Sequence, residues 1–132
     1  MPDESRAVTS TETFERFVAA INDHDVDGLS GLMTADHLFV DSMGNRVQGA
    51  TSMERGWRGY FTMCSDYWVR IDTSICEGDK VLAVGEAGGT IDNTAWRPPA
   101  AWLSIIPGGL VSEWRVFADN KPVYEILARR RP

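Results

Sequence analysis

The sequence predicts an α+β fold, with helices first and a run of long antiparallel strands after them. Two capping signals each precede an apolar period of helical spacing in the first half, the spacing changes to alternation from Asp66 onward, and tight-turn residues divide the second half into four runs. Elements in that order pack their helices on one face of a strongly curved sheet.

Thr9-Ser-Thr-Glu12 is a capping box, and Phe14, Phe17, Val18 and Ile21 behind it share one face of a first helix. Asn22-Asp-His-Asp25 breaks that helix, and Asp25 can cap a short second one whose apolar face is Val26, Leu29, Leu32 and Met33. A strand follows and ends on Asp41, and the loop 42–49 carries Gly44 and Gly49. Thr51-Ser-Met-Glu54 reads as a second capping box, for a third helix that buries Met53, Trp57, Tyr60, Phe61 and Cys64. The strand runs are roughly 67–77, 80–91, 95–106 and 110–118. Glu77-Gly-Asp-Lys80 and Pro107-Gly-Gly109 have tight-turn chemistry, and Ile91-Asp-Asn-Thr94 reads as a looser connection. Arg97-Pro-Pro99 places a bulge or an edge in the third run, because proline cannot donate to a ladder. Residues 120–129 form a tail or a short helix.

Composition narrows the function classes. A chain of 132 residues, 43% apolar with five tryptophans, fills one core and reads as a single domain over residues 1–132. A net charge of −6 argues against a nucleic-acid partner, which calls for a basic stripe, and Arg129-Arg130-Arg131 is a solvated tail. Cys64 and Cys76 lack metal-ligand spacing and read as reduced core thiols, and His24 and His37 complete no metal site. Met1-Pro-Asp-Glu-Ser-Arg6 has no apolar signal region, and no stretch approaches the roughly 18 apolar residues of a membrane span. A cytoplasmic protein without membrane, metal or cofactor is the expectation.

Two carboxylates stand out. Asp41 ends an otherwise apolar strand just before Ser-Met-Gly44, where a pocket would open; the alternative is that it satisfies backbone donors in the following turn. Glu86 interrupts the small, apolar run Val81–Thr90 and shares a face with Leu82 and Val84 by period two. Taken as the inward face, this makes Glu86 the second member of an acid/base pair with Asp41, with an ion pair to Arg97 or Arg115 as the structural alternative. The tryptophans are core and interface residues first.

The segments Arg16-Phe-Val-Ala-Ala-Ile-Asn22, Asp25-Val-Asp-Gly-Leu29, Leu32-Met33 and Phe39-Val-Asp41 resemble the nuclear transport factor 2-like superfamily, and within it the SnoaL-like and ketosteroid-isomerase-like proteins. Val111-Ser-Glu-Trp-Arg-Val-Phe117-Ala-Asp119 is similar to that family's last strand. The resemblance implies a cystatin-like, cone-shaped barrel, with three N-terminal helices in the concave face of the antiparallel sheet. It puts Asp41 on the general base of a cofactor-independent isomerase or cyclase acting on an aromatic, polyketide-like or steroid-like molecule. It also implies a pocket lined by Phe17, Trp57, Tyr60, Phe61, Val84, Leu103, Trp114 and Val116. The positions of the isomerases' two oxyanion donors read Phe17 and Ala101, neither of which can donate. Relatives dimerise through the outer sheet face, which Trp102, Ser104 and Ile106 would supply here. Some relatives carry a working aspartate near Asp119; strict alternation turns that residue away from Trp114 and Val116, toward a capping role at Asn120-Lys-Pro122, unless a β-bulge reverses its facing. A ligand carrier or interaction module without catalysis is the rival class, since one fold hosts many functions.

Overall fold

The computed structural model describes residues 9–119 and 121–129; the N-terminal hexapeptide, Asn120 and the tail residues Arg130 and Arg131 lie outside them. Helix α1 spans Ser10–Asn22, capped by Thr9, whose hydroxyl accepts from the Glu12 backbone N–H at 3.0 Å. Phe14, Phe17 and Ile21 turn into the core as the spacing predicts. Asn22 holds the end of α1 to the sheet by two bonds to the backbone of Val69, at 2.8 and 2.9 Å. Asp25 caps α2 (Val26–Gly31) by accepting from the Gly28 N–H. The first strand, β1 (Met33–Val40), takes Met33 from the expected helix and stops one residue before Asp41. After β2 (Arg46–Gln48), helix α3 (Ala50–Met63) begins at Gly49 with no side-chain cap. The Thr51–Glu54 box does not form, because the helix has already started at Ala50 and Thr51 lies inside it.

The remaining strands fall where alternation places them: β3 Trp68–Glu77, β4 Lys80–Ile91, β5 Thr94–Trp96, β6 Pro99–Ile105 and β7 Val111–Ala118. Arg97 and Pro98 split the third run into β5 and β6, both paired with β4. The connection Ile91–Thr94 is tighter than expected: Asp92 and Asn93, at φ of 51° and 64°, both occupy the left-handed region that two-residue hairpins use. The last helix, α4, spans Lys121–Ala128. Sheet order is β2-β1-β7-β6-β4-β3, and β1 runs parallel to β7, so the sheet is mixed where an antiparallel one was expected. The meander is antiparallel, and β1 returns beside its last strand after a long excursion through the rest of the chain.

The phase of the meander is opposite to the expectation. Trp102, Ser104 and Ile106 are at most 1% exposed and face the helices, whereas Leu82 and Val84 are 47% and 45% exposed on the outer face. Leu103 pairs with Leu82, and Ala101 with Val84, on that same outer side. The inward positions of β4 are Val81, Ala83 and Ala87. Large indoles on the neighbouring strands fill the inside, and small residues on β4 leave them room. Of the two thiols, Cys64 is buried and Cys76 exposed, so only the first belongs to the core.

Candidate functional site

A cavity of about 300 Å³ opens between α3, α4 and the inward face of the sheet. Helix α3 contributes Met53, Trp57, Tyr60 and Met63 along one face. Strand β7 adds Trp114, Val116 and Ala118 by period two, and α4 adds Val123, Tyr124 and Leu127. Phe39, Val47, Gly56, Tyr67, Ala87 and Trp96 complete the wall, and Asp41 is the one carboxylate on it among the described residues.

The rings form a connected set. Tyr60 meets Tyr67 edge to face at 4.9 Å between centroids, Tyr67 stacks on Trp96 at 5.9 Å, and Trp57 lies 6.5 Å from both tyrosines. Burial pushes both tyrosine hydroxyls above their ordinary value, so each keeps its proton at neutral pH. The buried indole nitrogens of Trp57 and Trp96 have no hydrogen-bond partner among the described residues.

Asp41 sits at the cavity wall and also builds the turn after β1. Its Oδ1 accepts from the backbone N–H groups of Met43 and Asn45, each at 2.9 Å, and its Oδ2 accepts from Asn45 Nδ2 at 3.1 Å. The turn alternative weighed from sequence is therefore present together with pocket contact. Tyr124 is close by: burial, then the charge of Asp41, raises its hydroxyl pKa.

Glu86 does not meet Asp41. It lies on the outer face, where Arg97 donates to it through Nε at 3.0 Å and Nη2 at 3.3 Å, and Arg70 forms a second ion pair. Those guanidinium groups, Arg97 first, hold its carboxyl below the ordinary range. The inward placement fails because Leu82 and Val84, whose face Glu86 shares, point outward. Val84 and Leu103 leave the pocket for the same reason. Trp57, Tyr60, Trp114 and Val116 do line the cavity. Phe17 and Phe61 stand behind it: Phe17 packs on Trp114 at 4.5 Å, and Phe61 stacks between Trp57 and His24. Ala101, matched to an oxyanion donor, faces out; its inward neighbours are Ala100 and Trp102. Asp119 accepts from the Lys121 N–H at 3.1 Å, the capping role that alternation favours.

Sequence reasoning missed Tyr67 and Trp96. Tyr67 was readable, since it precedes the inward Val69 by two residues; Trp96 required knowing which side of β5 meets the helices. Among the described residues no cluster of His, Cys, Asp and Glu could hold a metal ion, and no helix is long and apolar enough to cross a membrane.

A family model of the SnoaL-like domain matches residues 14–122. No functionally curated protein matches the chain. Among solved structures, a protein from Jannaschia sp. CCS1 proposed to be a SnoaL-like polyketide cyclase is 20% identical, with a TM-score of 0.80 and 93% of each chain covered. An LEH-like epoxide hydrolase from M. tuberculosis is 18% identical, with a TM-score of 0.79, covering 91% of this chain and 90% of its own. A protein of ketosteroid-isomerase-like fold from Catenulispora acidiphila, in complex with trimethylamine, is 23% identical, with a TM-score of 0.75 and coverage of 83% and 85%. At these identities the likeness shows the fold, which other neighbours describe as cystatin-like.

Proposed function

We propose a function on one established premise: the chain belongs to the SnoaL-like domain family. It binds a small hydrophobic molecule in the cavity and moves a proton on it with Asp41, as an isomerase or cyclase does. The observation that carries this reading is a concave, largely apolar space of about 300 Å³ whose wall, among the described residues, includes a single carboxylate. That volume lies at the lower end for ligand sites and suits a one- or two-ring aromatic skeleton better than a steroid. In the reaction, a proton leaves a carbon beside a carbonyl for the Asp41 carboxylate, the electron pair moves onto the carbonyl oxygen, and the proton returns at the same or another carbon. No cofactor takes part.

A second reading, ligand binding without turnover, is favoured by the three hydrogen bonds that already occupy the Asp41 oxygens. A homodimer through the outer sheet face accompanies either reading. It is supported by Ile75, Leu82, Val84 and Phe117, which expose 45–70% of their surface there.

Deuterium uptake at the carbon next to the carbonyl of 1-tetralone, followed by NMR in heavy water, separates the two. Uptake that the wild type accelerates and Asp41→Asn does not, with tetralone affinity retained, supports the acid/base reading. Saturating binding without uptake leaves the carrier reading, and absence of binding ends both.

A further inference from the structure

The inward residues of β7 fall in size toward the end of the strand, from Trp114 through Val116 to Ala118, and Ala118 pairs with Ala100 on β6. That taper leaves room where β7 gives way to α4. Beyond it lies a second hollow of about 400 Å³, more open than the cavity, with Met43, Ala118, Tyr124 and Ala128 as its apolar lining. Ala118 and Tyr124 line both spaces. Helix α4 separates them by face: Val123 and Leu127 turn to the cavity, Lys121, Glu125 and Ala128 turn to the hollow, and Tyr124 stands on the boundary. Met43 and Tyr124 are 67% and 43% exposed, two large apolar side chains that lie away from the outer sheet face and border this one hollow. The hollow follows α4 from Lys121 to Ala128, about 10 Å of helix and the reach of an extended chain of about eight carbons.

We infer that the two spaces form one ligand site, with a ring system in the cavity and an uncharged alkyl chain that passes between Ala118 and Tyr124 into the hollow. The inference rests on the reading of the cavity as a ligand site and adds the class of the ligand, an aromatic head with an unbranched chain. The cavity by itself holds about a one- or two-ring skeleton, so a longer molecule has to leave it, and the small side chain at 118 marks the way out. Outside, Met43, Ala128 and the edge of the Tyr124 ring offer apolar surface to one side of the chain. The rim decides the charge of the far end. Asp119 and Glu125 stand there against Lys121 alone, whose ammonium lies 3.8 Å from Glu125 and whose backbone N–H is held by Asp119. A terminal carboxylate would meet two carboxylates and a lysine already paired, whereas a methyl end meets neither penalty.

The test titrates 4-alkylphenols from ethyl to octyl, with 1-tetralone as the compact reference, into the wild type, Ala118→Leu and Ala128→Glu. Affinity rises about twofold per methylene from butyl to octyl in the wild type, half the free energy of a fully buried methylene because the hollow covers one side of the chain. That gain is lost in Ala118→Leu, which plugs the passage, and in Ala128→Glu, which charges the hollow at an exposed site and leaves tetralone affinity within about twofold. In NMR of the octylphenol complex the terminal methyl shows NOEs to the methyl groups of Met43 and Ala128. The chain capped with a carboxylate binds more weakly than octyl by at least about fivefold. Tetralone binding without any gain beyond butyl, an equal gain in both variants, NOEs from the chain end to Met53 or Phe39 instead, or tighter binding of an amine-capped chain than of octyl overturns the inference and leaves the cavity reading standing. Failure of tetralone and every phenol to bind the folded wild type removes the ligand site itself, and the inference with it.

Discussion

Asp41→Asn separates the two duties of Asp41, because the change is nearly isosteric and its structural cost follows from three bonds. The asparagine oxygen takes the Oδ1 place and keeps the Met43 and Asn45 backbone N–H groups, now with a neutral acceptor. The new amide nitrogen takes the Oδ2 place and meets Asn45 Nδ2, donor against donor, where the native distance is 3.1 Å. Bonds to a charged acceptor are worth about 1.5–3 kcal/mol when buried and neutral ones about 0.5–1.5. In a partly exposed turn, water makes up most of the difference, so the three changes together cost about 1–2 kcal/mol. For a chain of this length each kcal/mol lowers Tm by about 3–5 °C. The expected result is a cooperative unfolding transition about 3–10 °C below the wild type, by calorimetry or circular dichroism. Asn45→Ala removes one of the three bonds, and the double variant should show a coupling of about 0.5–1 kcal/mol. A Tm within about 1 °C of the wild type, with no coupling to Asn45, would refute the claim that this carboxylate builds the turn.

Three other outcomes follow from the packing. His37 is fully buried, with Nδ1 on the Val111 carbonyl at 2.8 Å, and burial lowers its pKa against the opposing pull of that bond, Asp36 and Glu113. The unfolded chain therefore binds the extra proton first: the histidine costs nothing above about pH 6.5, and stability falls as pH drops below it, by up to about 1.4 kcal/mol per unit. His37→Asn should flatten that part of a urea-denaturation pH series, and identical slopes would count against it. In Gly89→Ala the new Cβ would overlap Cys64 Sγ and lie 3.1 Å from Asp66 Oδ1. A loss of about 1–3 kcal/mol is expected, and an unchanged melting curve would show that the approach is looser than it looks. Leu82→Asp charges the centre of the outer apolar face and should convert a dimer to a monomer in sedimentation at micromolar concentration; a wild type already monomeric there would sink the proposed interface.

What the sequence made legible was the element order, and what it hid was the phase. Alternation in β4 and β6 is clear, and Glu86 does share a face with Leu82 and Val84. Both faces, however, carry apolar residues: Leu82, Val84, Leu103 and Phe117 outside, Val81, Ala83, Trp102 and Trp114 inside. Period two says which residues go together and not which set meets the helices. The usable cue was size, because an inside that takes Trp96, Trp102 and Trp114 needs small residues across from them. Ala83, Ala87 and Ala100 have that size and the right parity. The charged cue pointed the same way: a glutamate flanked in register by Arg70 on β3 is cheaper on a solvated face than in a cavity. Parallel pairing of β1 with β7 was hidden for another reason, since it depends on residues that lie at opposite ends of the chain.

Small residues on β4 also tie the fold to the cavity wall. A Cβ at Gly88 would stand 2.5 Å from the Trp96 carbonyl oxygen and 2.9 Å from the Trp68 ring, and one at Gly89 would strike Cys64 and crowd Tyr67 Cα at 3.3 Å. Two adjacent glycines in β4 therefore let the segment leading into β3 and the strand β5 close in from opposite sides. The ring of Tyr67 stacks on Trp96 across that narrow gap. Asp66 fastens the closure by accepting from the Thr90 N–H at 2.7 Å and its hydroxyl at 2.8 Å, and Thr90 holds its carboxyl below the ordinary range. A strand with ordinary side chains at 88 and 89 would hold Tyr67 and Trp96 farther apart and open that stacked contact. The glycine pair, which in sequence reads as a weakness in a long strand, is the local condition for Tyr67 and Trp96 to close that part of the cavity wall together.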